Sequence, residues 1–148
     1  MRVLLVDGHR GVREGLSDRL RRDPRVGAVV TASSLGAALL TAQGFAPDVV
    51  LCDPTTIGGD GIGAAAAAVR RLGRLGRPLV VLAPSLAEGE RAGLWRAGAA
   101  VVLLKGCAFP ELLAALEQVA AERTPAPAAP AGSVHPVWPP SAGAHIRL

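Results

Sequence analysis

Three ionisable residues stand directly after apolar runs: Asp7 after Val3–Val6, Asp53 after Val49–Cys52 and Lys105 after Val101–Leu104. If these runs are parallel strands of one sheet, two carboxylates and one ammonium group meet at a single sheet edge. The carboxyl ends of strands are where such sheets hold ligands and carry out chemistry. An ion pair of purely structural purpose between Asp53 and Lys105 accounts for the same residues, since ion pairs also perturb ionisation in clefts. The type of cation is informative. Of the 16 Lys and Arg residues, only Lys105 is a lysine. Lysine offers a compact, rotatable point charge that the planar guanidinium of arginine does not reproduce.

The elements that must position these groups are legible as short apolar runs. Val3–Val6, Val49–Cys52, Leu79–Leu82 and Val101–Leu104 are continuous, and Ala28–Thr31 is a weaker fifth. Runs of this length without polar alternation fit strands buried on both faces. Helical segments lie between and after them. Val12–Arg22 spaces Val12, Leu16 and Leu20 four apart, and Ser34–Gln43 follows Ser33 or Ser34 as an N-cap. Gly63–Leu72 ends in Arg70 and Arg71. Leu86–Ala97 follows Ser85 as an N-cap, with Glu88 placed as in a capping box. Pro110–Glu122 opens on proline, as helices often do. Five β-α units in succession predict parallel pairing through right-handed crossovers. The expected fold is α/β: a doubly wound, five-stranded parallel sheet with helices on both faces.

Hydrophobic residues make up 50% of the 148-residue chain and aromatic residues only 3%, so the core must be aliphatic. One domain is the natural expectation at this length. Residues 1–122 hold it. Beyond Arg123 the composition shifts to six of the twelve prolines, no acid and no periodic apolar face. We expect residues 123–148 to be a disordered tail. It contains Trp138, His135 and His145.

The net charge of +4 permits a nucleic-acid partner. The arginines, however, are spread along the chain, and the one tight group (Arg19, Arg21, Arg22, Arg25) reads as a solvated helix end. The tail lacks a helix-turn-helix pattern, so direct DNA binding is not expected. Cys52 and Cys107 form neither a CxxC pair nor a metal-ligand cluster. The apolar run leading into Asp7 is only four residues long, too short for a leader core or a membrane span. A cytoplasmic protein with no membrane contact is the expectation.

The spacings around these residues resemble the receiver domain of two-component response regulators. Val3-Leu4-Leu5-Val6-Asp7 matches the family's first strand and acidic pocket. Asp48-Val49-Val50-Leu51-Cys52-Asp53 matches the strand ending in the phosphoacceptor, and Gly58-Gly59-Asp60-Gly61 the Gly-x-Asp-Gly loop after it. Ala97-Gly98-Ala99 and then Leu103-Leu104-Lys105 match the stretch ending in the family's lysine. Val12-Arg13-Glu14-Gly15-Leu16 is most similar to the NarL-like subfamily that carries LuxR-type DNA-binding domains. The resemblance covers residues 1 to about 122. It implies a flavodoxin-like (βα)5 fold and a signalling module rather than an enzyme. It implies that Asp53 accepts a phosphoryl group from a sensor histidine kinase as a carboxylate nucleophile. Mg²⁺ would sit on Asp7, Asp53 and the backbone carbonyl of Thr55, with Lys105 pairing the phosphoryl oxygens. Output would pass to a downstream protein or through a homodimer.

Several family positions are changed. The position of the second acid after the first strand is Gly8, so Mg²⁺ binding is expected to be weak. The hydroxyl position after the fourth strand is Ala83, and Ser85 reaches the site only if its loop bends unusually. The switch aromatic on the fifth strand is Val102, and the proline of the loop after Asp53 is Ile57. The implied function is an atypical receiver with impaired phosphorylation. The alternatives are a pseudo-receiver that binds a protein or small ligand without phosphotransfer, and a remnant of a LuxR-type regulator that has lost its DNA-binding domain.

Overall fold

The computed structural model describes residues 1–85, 87–122 and 144–146. The strands are β1 (Arg2–Val6), β2 (Ala28–Ala32), β3 (Val49–Cys52), β4 (Leu79–Ala83) and β5 (Val101–Leu104). The helices between and after them are α1 (Arg10–Arg21), α2 (Leu35–Phe45), α3 (Ile62–Gly73), α4 (Glu88–Ala97) and α5 (Phe109–Glu122). The sheet order begins β2-β1-β3-β4-β5, and these five strands pair in parallel. This is the doubly wound arrangement that the alternating runs predict, in the flavodoxin-like order that the receiver resemblance implies.

Side chains alternate across a strand, and here the alternation sorts the core into two layers. Leu4, Val6, Val50, Cys52, Leu79, Val81, Ala83 and Val102 face α2, α3 and α4. Val3, Leu5, Val49, Leu51, Val80, Leu82, Val101 and Leu103 face α1 and α5. Leu4, Leu5, Leu51, Leu79 and Leu103 are at most 1% exposed. Each such side chain contributes about 2 kcal/mol through burial. Runs without polar alternation arise because both faces of every central strand are covered.

The same alternation aims the site. Asp7, Asp53 and Lys105 continue the odd-numbered rows of their strands, whereas Ala83 and Val102 belong to the opposite layer. Strand order reverses between β1 and β3, and in open α/β sheets the binding crevice opens at that reversal. Asp7 and Asp53 are the first residues beyond these two strands.

Helix ends follow local chemistry. Ser34 caps α2 by accepting a hydrogen bond from the N–H of Ala37 at 3.2 Å. The Ser85 expectation does not hold in that form. Helix α4 starts at Glu88 with Ala87 at the cap position and no side-chain cap. Ser85 instead turns its loop, its Oγ accepting from the N–H of Ala87 at 3.2 Å. A hydroxyl two residues upstream competes for backbone N–H groups before the helix begins.

A sixth strand, β6 (Ala144–Ile146), pairs antiparallel with β5, joining Ala144 to Leu103 and Ile146 to Val101. The expectation of a disordered tail otherwise falls outside the described residues, as do Trp138 and His135. No described helix is long and apolar enough to cross a membrane.

Candidate functional site

The register places the polar residues without any loop having to search for them. Val6 is paired with Cys52, and the N–H of Asp53 donates to Val6 O at 3.0 Å. Ala83 is paired with Leu104, and the N–H of Lys105 donates to Ala83 O at 2.6 Å. Asp7 and Asp53 are 1% and 2% exposed.

Lys105 Nζ donates to Asp7 Oδ2 at 2.8 Å and also to Asp53 Oδ2. One ammonium therefore bridges two buried carboxylates. Burial alone lowers the Lys105 pKa, but the hydrogen bonds and charges of Asp53 and Asp7 outweigh it, and the group lies above the ordinary lysine value. Asp53 Oδ1 accepts from the Thr55 N–H at 3.0 Å and the Thr55 hydroxyl at 2.6 Å. Asp7 Oδ1 accepts from the N–H of His9 at 2.7 Å, and His9 Nδ1 lies 3.5 Å from the same oxygen.

Gly8 has no room for the family's second acid. A Cβ there would stand 2.5 Å from the Thr56 carbonyl oxygen. The Gly8 N–H donates to Thr56 Oγ1 at 2.7 Å, and that hydroxyl donates to Asp53 O at 3.0 Å. Thr56 thus ties the β1–α1 loop to the β3–α3 loop across the place a metal-binding carboxylate would need. The β3–α3 loop is closed further by Gly58 N–H to Pro54 O at 3.0 Å. Ile57, where the family has proline, packs against the core.

Ala83 and Val102 are 2% and 0% exposed and lie in the layer under α3 and α4. A cleft of about 280 Å³ opens above Ala83, bounded by Thr55, Asp60, Ser85 and Leu94 among others. Ser85 is exposed on its rim. Cys52 is fully buried, and its thiol is pushed far up by burial and then by Asp53 and Asp7, so it behaves as a small hydrophobe.

Asp7, Asp53 and Lys105 therefore come together as the strand ends foretell. The side chains of His9, Thr55 and Thr56 were not foreseen as parts of the site, although the Thr55 backbone was. Their only sequence signal is position, two or three residues beyond a strand-end aspartate.

Among solved structures, the receiver domain of the NarL-type regulator from Mycobacterium tuberculosis superposes with a TM-score of 0.69 at 30% identity. The match covers 82% of this chain and 97% of that one. This chain belongs to the response regulator receiver family. The receiver is also similar to a LuxR-family response regulator from Aurantimonas sp. SI85-9A1 (TM-score 0.68, 29% identity, 82% and 86% covered). The HemR receiver domain from Leptospira biflexa gives a TM-score of 0.66 at 29% identity, with 84% and 98% covered. No family model matches the sequence, and no curated protein does. Receivers of this family bind Mg²⁺ at the acidic pocket. The donor set of this receiver fits that ion poorly: Gly8 excludes the added carboxylate and Lys105 holds both that remain. Mg²⁺ requires near-octahedral oxygen coordination.

Proposed function

We propose that this chain is a receiver module of two-component signal transduction in which phosphorylation of Asp53 is impaired. The observation that carries the reading is the bridged pair. Both oxygens of Asp53 are engaged, Oδ2 by Lys105 and Oδ1 by Thr55. Hydrogen bonds to a carboxylate stabilise its charged form and lower its readiness to attack. In phosphotransfer an Asp53 oxygen forms a bond to phosphorus while the bond from phosphorus to the donor breaks. Charge then grows on the phosphoryl oxygens, and Lys105 is the cation placed against Asp53 to meet it. The Ala83 methyl offers no hydrogen bond. Weak Mg²⁺ binding, a sensor histidine kinase as phosphodonor and a downstream protein or second copy as output complete the proposal. Residues 1–122 form the receiver domain and 123–148 its tail.

A second reading is a pseudo-receiver that binds a partner without phosphotransfer. It is supported by Ala83 and Val102, both buried and neither able to distinguish two states by a hydrogen bond or a ring flip. A switch needs such a difference between its states. Incubation with a small phosphodonor and Mg²⁺, followed by measurement of acid-stable, base-labile phosphate, tests the proposal. Labelling well below one phosphate per chain, abolished in Asp53→Ala, is expected. Near-stoichiometric labelling at Asp53 would overturn the impairment, and none at all would favour the pseudo-receiver.

A further inference from the structure

The parallel sheet has two edges, β2 and β5, and the chain treats them differently. An edge strand presents unpaired N–H and C=O groups that a further strand can join. At β2 a cation stands in the way. Ala32 O accepts from the Asp7 N–H on the β1 side, so by alternation Val29 O points outward. The Arg21 guanidinium donates to Val29 O and to Ser17 Oγ, each at 3.3 Å. β5 is aliphatic throughout, Val101-Val102-Leu103-Leu104, with neither charge nor proline to blunt it. Leu104 is 38% exposed. What lies along β5 is β6, over Val101–Leu103. Three residue pairs make a short ladder, and residues 123–143 separate β6 from α5. β6 can therefore leave the edge while the five βα units stay folded.

The direction of pairing says what can replace it. β6 runs antiparallel to β5, so the edge accepts a strand of that sense. Two copies related by a two-fold axis offer each other the same strand in that same antiparallel sense. A β5 pair would set aliphatic side chains opposite aliphatic side chains, with no like charges to oppose it. We propose that β6 is a tethered guard of the β5 edge, and that when it lifts, β5 pairs with β5 of a second copy and joins two receivers through one continuous sheet. The inference rests on the proposed function only in taking up the second copy named there as an output, and it supplies the surface and the segment that controls it.

Sedimentation velocity of the full chain over a range of concentrations, without phosphodonor, tests this. The wild type is compared with the triple variant Ala144→Pro, His145→Pro, Ile146→Pro, whose β6 retains no N–H to pair. All three substitutions lie outside the five βα units. The triple variant is expected to dimerise at least about tenfold more tightly than the wild type, because the competing tethered strand is gone. Its amide exchange at Val101–Leu103 should be fast in dilute solution and slow as the dimer fills. Adding Leu104→Lys puts a charge on the exposed end of the edge and should return the variant to monomer. A triple variant that stays monomeric, associates no more tightly than the wild type, or remains dimeric with Leu104→Lys overturns the inference. The two readings fail separately: labelling of Asp53 judges the proposed function, whereas association without phosphodonor judges the guarded edge.

Discussion

Lys105 neutralises a pocket in which the two carboxylates would otherwise face each other across a dry strand edge. Removing one partner of a buried charge cluster leaves the others uncompensated. Lys105→Met should therefore cost about 3 kcal/mol of unfolding free energy by chemical denaturation. Asp53→Asn keeps the acceptor for Thr55 and relieves repulsion with Asp7, so its cost should stay within about 1 kcal/mol. A larger loss would show that Asp53 is chiefly the structural partner of Lys105. The Lys105 pKa is raised above the ordinary 10.5. Its contribution is therefore complete below pH 10.5 and fades as pH rises through the higher folded value. The stability gap between wild type and Lys105→Met should be level from about pH 7 to 10 and shrink above that. Gly8→Asp recreates the family's acid by composition, but its Cβ meets the Thr56 carbonyl at 2.5 Å. It should lower stability by about 2 kcal/mol through overpacking. Denaturation with and without Mg²⁺ reads both effects. The residues at strand ends were legible because strand direction fixes where they point. His9 and Thr56 were not, because their roles depend on how two loops close on each other.

Five strands and five helices were legible because β1, β3, β4 and β5 carry unbroken apolar runs, while β2, with Thr31 and only partial burial, left the weaker signal. Their limits moved by a few residues where backbone bonding outruns the apolar pattern. Helix α1 begins at Arg10, ahead of Val12, with His9 at its cap. Helix α2 runs on to Phe45 and stops at Ala46, which adopts a left-handed conformation with φ of 48°. It is the one non-glycine residue with positive φ among the described residues. A Cβ in that region costs about 1 kcal/mol, and glycine removes the cost. Ala46→Gly should therefore raise stability by about that amount, visible as a higher melting temperature. Strand β6 was illegible, because pairing between distant segments leaves no periodicity within three residues.

At the scale of the whole molecule, several arginines at the end of α1 and just beyond it engage neighbouring groups. Arg25 engages Asp23 at 2.8 Å and Glu117 at 3.0 Å, and Arg19 lies over the Phe109 ring. Arg21 reaches Asp18 and the carbonyl of Val29. Arg19, Arg21 and Arg25 thus each engage a neighbouring group. Among the described residues, the C-terminal strand β6 meets the domain at the β5 edge. A chain ending at Glu122 should keep its helical circular dichroism, while amide hydrogen exchange at Val101–Leu103 quickens, because unpaired edge groups exchange with water. Unchanged exchange there would show that β6 does not protect the edge in solution. The lone lysine has a further consequence. An amine-acylating reagent finds a single lysine amine in this sequence, Lys105 Nζ. It is clamped between carboxylates and reacts only when that clamp loosens. Its acylation rate, read as a mass change on one peptide, is a built-in footprint of the pocket: anything that draws Asp53 away from the amine changes the rate at a single residue.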